Sequence, residues 1–340
     1  MEPDGGRRGD TQNLLDRFLS ESGWRRLAGS CALAPGCATP PEPARSLVFD
    51  IDGVLIDTRR SFDEVIPRSV SFYMEGVLGL QDPAPETEAA DSEAWRRAGG
   101  FNNDWDTAEA GLLCALWRTV AETPVPATSD LAAATAEAGG GLEALRAVIE
   151  REAVTLAADL FARVDRTRLE RIFKELYVGA PLFERVFGEP TRYWHGPGAV
   201  ENERPLLSTA TRERALQLPL GILTGRIPEE AELALELTGL SGLEPELIVT
   251  DDGRFPPKPD PAGLLHLVTR LSGRPLYYFG DNRDDLTAFE RCREAAADDR
   301  LHFVCCLSGG ADLELVRWFA TAGATLIAVG AEEALKEVLP

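Results

Sequence analysis

A short apolar run, Leu47-Val48-Phe49, stands alone near the start of the chain, and runs that match it do not return until Pro219. Three such residues in a row are the composition of a strand buried on both faces. From Pro219 onward strand-like runs recur, each followed by helical periodicity. Residues 219–223 precede a helix near 227–239, 247–250 one near 261–272, and 276–279 one near 284–297. Residues 303–307 precede a helix near 311–322, and 325–329 precede a last one near 331–338. Strands alternating with helices build a parallel sheet covered on both faces. The expected fold class is α/β, with a doubly wound, Rossmann-like parallel sheet as its core. The first strand belongs to that sheet although about 170 residues separate it from its companions, and a crossover of that length is not a plain loop. The intervening sequence has helical periodicity near 61–80, 105–121, 141–163 and 166–176, with acidic or Ala/Pro-rich connections at 81–91 and 122–129. The chain therefore divides into an N-terminal extension and linker (1–44), a core made of 45–58 and 207–340, and an inserted all-α domain (59–206).

Composition narrows the function. At 340 residues, 44% apolar and 27% charged, the chain is ordinary two-domain globular material. No run approaches the roughly 18 apolar residues of a membrane span, and no apolar signal core opens the chain, so a soluble, cytoplasmic protein is expected. A formal charge of −21 argues against a nucleic-acid or anionic-membrane partner, because phosphate backbones require clustered Lys and Arg. An acidic protein that handles a phosphorylated small molecule must concentrate a few cations, or a metal, in one pocket. The six cysteines form no CxxC pair and have no histidine at zinc-ligand spacing, which reads as buried thiols in a reducing compartment. The first 44 residues include a candidate amphipathic helix, 13–27, with Leu14, Leu15, Phe18 and Trp24 near one face, then an Ala/Gly/Cys/Pro-rich linker. Nothing in the sequence sets an oligomeric state.

Four polar clusters fall at the ends of the expected strands. Leu47–Phe49 ends in Asp50 and Asp52, and 219–223 delivers Thr224-Gly225-Arg226 ahead of a helix. Lys258 lies in a proline-stiffened loop, 256–261, and Tyr277-Tyr278-Phe279-Gly280 runs into Asp281 and Asp285. Ligands of open α/β sheets sit outside the carboxyl ends of the strands, so the clusters can share one pocket. Asp50, Asp281 and Asp285 would then bring three carboxylates together, each pair repelling by roughly 4 kcal/mol at about 4 Å and an effective dielectric near 20. Such a set requires a cation, and oxygen ligands beside a phosphate point to Mg²⁺. Lys258, the Thr224 hydroxyl and the Gly225 amide can bind phosphoryl oxygens. The chemistry this set suits is phosphoryl transfer to Asp50, with Asp52 protonating the leaving oxygen and then taking a proton from the hydrolytic water.

The segments DIDGV, LTGR, KPDP and GDNRDD resemble, in order and in type, the four signature motifs of the haloacid dehalogenase-like superfamily. The resemblance covers 46–58 and about 207–330 directly. It implies a Mg²⁺-dependent phosphatase acting on a small phosphorylated metabolite through an aspartyl-phosphate on Asp50. It further implies that Asp50, the backbone carbonyl of Asp52, Asp281 and Asp285 hold the metal, that Asp52 is the general acid/base, and that Thr224 and Lys258 bind phosphate. The position of the insertion resembles the subfamily with a helical cap. Asp52 favours phosphotransfer over halide displacement, and Lys174, the one lysine of the insertion, lies far from where phosphonatases use theirs. A phosphosugar mutase and a catalytically silent binding protein of the same fold are the alternatives.

The segment Gly99–Asp106 is polar and aromatic for a connection. Asp106 with Glu109 forms an expected capping box for a helix starting near Thr107. That leaves Asn102, Asn103, Asp104 and Trp105, which either form a purely structural loop or read hydroxyl or amine groups of the substrate, with Asn102 and Asn103 as the candidate substrate-binding residues. Asp57 is expected to cap the first helix of the insertion or to tie down the hinge. Arg59, Arg60 and Arg226 are expected to be solvated, with contact to an anionic substrate as the alternative, and Arg192–His195 to serve packing.

Overall fold

The structure is a computed structural model that describes residues 5–27, 29–38, 41–80, 92, 94–95, 98–101 and 103–340. It falls into two compact units, Met1–Asp57 with Arg204–Pro340, and Thr58–Glu203.

The first unit is an α/β domain around an eight-stranded sheet. Its strands are β1 (Arg25–Arg26), β2 (Cys31–Leu33), β3 (Ser46–Phe49), β6 (Leu220–Leu223), β7 (Ile248–Val249), β8 (Leu276–Gly280), β9 (Leu301–Cys306) and β10 (Leu326–Ala328), in the order β1-β2-β10-β9-β8-β3-β6-β7. Strands β10, β9, β8, β3, β6 and β7 are mutually parallel, and β2 and β1 add an antiparallel edge. Two further short strands, β4 (Ile56–Asp57) and β5 (Arg204–Pro205), pair antiparallel where the chain leaves this unit and returns to it.

Because successive side chains of a strand face opposite ways, the sheet feeds two cores. Leu47, Phe49, Ile222, Phe279, Val304 and Leu335 share one, and Val48, Leu267, Tyr278, Phe289, Phe303 and Phe319 share the other. From β3 the chain builds outward through β6 and β7, then crosses back to β8 and continues through β9 to β10 on the other side. Strand order thus reverses between β3 and β8. That crevice, at the carboxyl ends of the strands, is where open α/β sheets bind ligands.

From the segment expected as extension and linker (1–44), Leu15, Phe18, Leu27, Cys31–Leu33 and Ala44 are buried in this unit. The helix there is Gly5–Glu21, and it places Leu15 and Phe18 in the interior. Cys31, Ala32 and Leu33 are fully enclosed and register antiparallel with Leu326–Ala328. A three-residue strand is too short to show the alternation that marks a strand in sequence.

The second unit is helical: Phe62–Phe72 continuing into a π-turn at Tyr73–Val77, then Asp104–Val120, Thr128–Glu137, Gly141–Glu152, Ala157–Ala162, Arg166–Val178 and Ala180–Phe187. The single helix expected over 141–163 breaks at the β-branched pair Val154-Thr155, residues that lose rotamer freedom in a helix. Phe62 stacks on Tyr177 and Phe173, with ring centroids 4.5 and 6.1 Å apart, which helps to join the helices Phe62–Phe72 and Arg166–Val178 into one core. Among the described residues, no helix is long and apolar enough to cross a membrane.

Candidate active site

Asp50 is one residue past β3. Its amide donates to the Phe279 carbonyl at 2.9 Å, and its Oδ1 accepts the Ile51 amide at 2.8 Å. Across the crevice, β8 ends at Gly280 and the helix Arg283–Ala296 starts three residues later. Asn282 caps that helix by accepting the Asp285 amide at 3.0 Å, and Asp285 Oδ2 accepts the amides of Asn282 and Asp281 at 3.3 and 3.1 Å. This capping box ties Asp285 back toward the strand end. Gly280 is required there, because a Cβ on it would lie 2.5 Å from the Asp285 Cβ. As a result, one carboxylate oxygen each of Asp50, Asp281 and Asp285 lies within 4.8 Å of the others.

Lys258 and Tyr278 complete the cluster. Lys258 Nζ donates to Asp285 Oδ1 at 2.7 Å and lies 3.1 Å from Asp50 Oδ2. The Tyr278 hydroxyl donates to the same Asp285 oxygen at 2.5 Å. Burial pushes the Asp50 carboxyl up to about 7; Lys258 opposes this, and the Asp285 and Asp52 charges add to it. Burial, then Asp285 and Asp50, hold Asp281 well above the usual carboxylate range. Burial works against charge on Lys258, yet the Asp285 and Asp50 carboxylates outweigh it and raise the ammonium above its ordinary value. One lysine does not neutralise three carboxylates. An all-oxygen set of this kind can hold a divalent cation.

Thr224 is buried one residue past β6, with its amide on the Val249 carbonyl at 3.0 Å. Gly225 follows, exposed, three residues before the helix Pro228–Thr238. Since Phe49 registers with Ile222, the turn Thr224–Arg226 and Asp50 share one edge of the sheet.

Arg226 departs from expectation. Its side chain is 1% exposed rather than solvated, and its Nε and Nη2 donate to Asp52 Oδ1 at 3.0 and 2.7 Å. Two further contributors escaped the sequence reading. The Tyr278 hydroxyl had a signal, since a tyrosine in a strand buried on both faces needs a hydrogen-bond partner. The loop after β9 had little: Ser308 Oγ donates to the Gly53 carbonyl at 2.6 Å, and Gly309 lies against Asp281, where a Cβ would sit 1.7 Å from Oδ2.

In the helical unit, Asn102 lies outside the described residues. Asn103, rather than Asp106, is the N-cap of the helix Asp104–Val120, its Oδ1 accepting the Asp106 amide at 2.8 Å. The expected capping box is not formed, because Glu109 is buried on Arg146 and, at 3.1 Å, on Arg166. Trp105 lies under the Lys174 ammonium, 5.1 Å from its ring centroid. The N-cap position of the helix Phe62–Phe72 is Ser61.

A family model described as haloacid dehalogenase-like hydrolase matches residues 44–293, a span that holds all four motifs. The chain belongs to that family. Among solved structures, this haloacid dehalogenase-like hydrolase is similar to phosphatase Tt82 from Thermococcus thioreducens at 30% identity and a TM-score of 0.57, over 86% of this chain and 99% of that one. A structural-genomics target at 17% identity shares the fold, with a TM-score of 0.58 over 85% of this chain and 97% of that one. No curated protein matches the hydrolase.

Proposed function

We propose that the hydrolase is a Mg²⁺-dependent phosphatase of a small phosphorylated metabolite. The observation that carries this reading is the meeting of Asp50, Asp281 and Asp285 within 4.8 Å, with Lys258 bridging Asp50 and Asp285. The carboxylates fit Mg²⁺ in donor type, and the Asp281 carboxylate lies against Gly53 and Gly309. Bound there, Mg²⁺ would offset phosphoryl charge in the transition state. The resemblance to a protein named as a phosphatase agrees with this activity.

The protein's own groups carry the steps. Asp50 attacks phosphorus, forming an aspartyl-phosphate as the bond to the leaving oxygen breaks. Lys258 and the Thr224–Gly225 turn bind phosphoryl oxygens, and Lys258 also fixes the direction of the Asp50 carboxylate. Asp52 gives a proton to the leaving oxygen and then takes one from the water that attacks the aspartyl-phosphate.

The test is hydrolysis of p-nitrophenyl phosphate with and without Mg²⁺, beside Asp50→Asn. Turnover is expected to require Mg²⁺ and to fall by about 10³-fold or more in the variant. Turnover that ignores Mg²⁺, or an active Asp50→Asn, overturns the mechanism. No phosphate release from a panel of phosphorylated metabolites would leave a silent protein of this fold.

A further inference from the structure

We propose that Arg226 is a positioning residue that sets Asp52 for proton transfer, an inference that rests on Asp52 being the general acid/base. The arginine is built into the fold on every side. Its amide donates to Thr224 Oγ1 at 3.2 Å, its carbonyl accepts the Asp251 amide at 2.9 Å, and its Nη1 donates to the Glu230 carbonyl at 3.4 Å. The guanidinium is thus a fixed, enclosed platform, 1% exposed, whereas the Asp52 side chain that it holds is 36% exposed. An ion pair with one partner desolvated and the other wet is a poor stability device, since the arginine gives up hydration for a carboxylate that water still screens. It is a good alignment device. A carboxylate on a turn samples several rotamers. Two N–H groups of a rigid fork converging on Oδ1, at 3.0 and 2.7 Å, select one of them.

The pairing also divides the labour between the two oxygens. Oδ1 is held by the arginine, and Oδ2 has no hydrogen-bond partner among the described residues. Oδ2 is therefore the oxygen that exchanges the proton. In the first half-reaction the Asp50–phosphorus bond forms, the bond from phosphorus to the leaving oxygen breaks, and the proton moves from Asp52 Oδ2 to that oxygen. In the second, Oδ2 takes a proton from water as the water oxygen bonds to phosphorus and the Asp50–phosphorus bond breaks. Arg226 remains a guanidinium throughout and touches neither phosphorus nor leaving group. The turn Thr224–Arg226 thereby serves both parts of the chemistry: its first residues face the phosphate edge, and its last aligns the proton carrier.

The experiment compares kcat/KM for phenyl phosphate and p-nitrophenyl phosphate, which differ in how much the leaving oxygen needs a proton. In Arg226→Gln the loss is expected to be about 10²-fold on phenyl phosphate and at least about tenfold smaller on p-nitrophenyl phosphate. Arg226→Lys, which keeps the charge but not the fork, falls between wild type and Arg226→Gln. Asp52→Asn shows the same dependence on leaving group, and Asp52→Asn/Arg226→Gln is no worse than Asp52→Asn alone. Equal losses on both substrates in Arg226→Gln and Arg226→Lys overturn the inference if Asp52→Asn still discriminates. If Asp52→Asn does not discriminate, the reading of Asp52 itself fails. Thermal unfolding checks each variant, and should Arg226→Gln not fold, Arg226→Lys carries the comparison.

Discussion

The Asp281 carboxylate occupies a slot that only glycines leave open. A Cβ on Gly53 would come within 2.1 Å of its Oδ2, and one on Gly309 within 1.7 Å. The two positions are not equivalent as tests. Gly53 has φ near +70°, so a larger residue there strains the backbone as well. Gly309 is outside the left-handed region, so Gly309→Ala acts on Asp281 by steric displacement alone. Groups that orient a metal ligand contribute about 10–100-fold to affinity. Gly309→Ala is therefore expected to weaken Mg²⁺ binding by at least about tenfold in titration calorimetry, while the thermal midpoint without Mg²⁺ moves little. Unchanged affinity would mean that Asp281 either moves freely or is not a ligand.

At the scale of the element, the helix Arg166–Val178 carries a second carboxylate whose surroundings are decided by backbone. Glu175 is fully enclosed and accepts the amides of Arg192, Tyr193 and Trp194 at 2.8, 2.6 and 2.9 Å, with Arg171 Nε at 2.5 Å. It pins the return segment 192–194, which the sequence marked only as packing. Burial pushes this carboxyl up, but the amides and Arg171 outweigh it, and the group ends below its ordinary value of 4.5. With the folded value depressed, its stabilisation is complete above the unfolded value and is lost as pH falls through the folded one. Glu175→Gln should accordingly lower the urea midpoint at pH 7 by the equivalent of about 2–4 kcal/mol. The gap to wild type should close as pH falls below about 4.5; a gap independent of pH would refute the assignment. The same elements show what sequence can reveal. The first strand and the strands and helices expected from 219 onward were legible to within two residues at each end, because burial on both faces leaves continuous apolar runs between helical periods. By contrast, the helix expected over 13–27 is Gly5–Glu21, and the helix Thr209–Ala215 was not expected. The four motif clusters were legible because charge at the tip of a buried strand needs a ligand. Arg226 was not, since an arginine after a strand looks the same whether it is solvated or folded under Asp52. The helix Thr128–Glu137 was missed because its inward face is built from Leu131, Ala132 and Thr135, too weak an apolar stripe to stand out.

At the scale of the whole molecule, the catalytic sheet depends on a segment that looked dispensable. Leu15, Phe18, Leu27 and Leu33 are all buried in the two cores beside the sheet, and β2 covers the edge of β10. Burying four such side chains contributes on the order of 6–12 kcal/mol, an upper figure because the unfolded chain already hides part of that surface. That is comparable with the roughly 5–15 kcal/mol that hold a typical domain folded. Deleting residues 1–33 would also free the backbone of Leu326–Ala328, an apolar strand edge of the kind that recruits other chains. The shortened protein is therefore expected to be insoluble or to lose cooperative unfolding, although it keeps every motif residue. Phe18→Ala, milder by design, should cost about 3–5 kcal/mol while leaving kcat/KM of the folded fraction near wild type. A truncated protein that melts cooperatively at the wild-type midpoint would show instead that the parallel strands alone suffice, and that the antiparallel edge is an ornament of the fold.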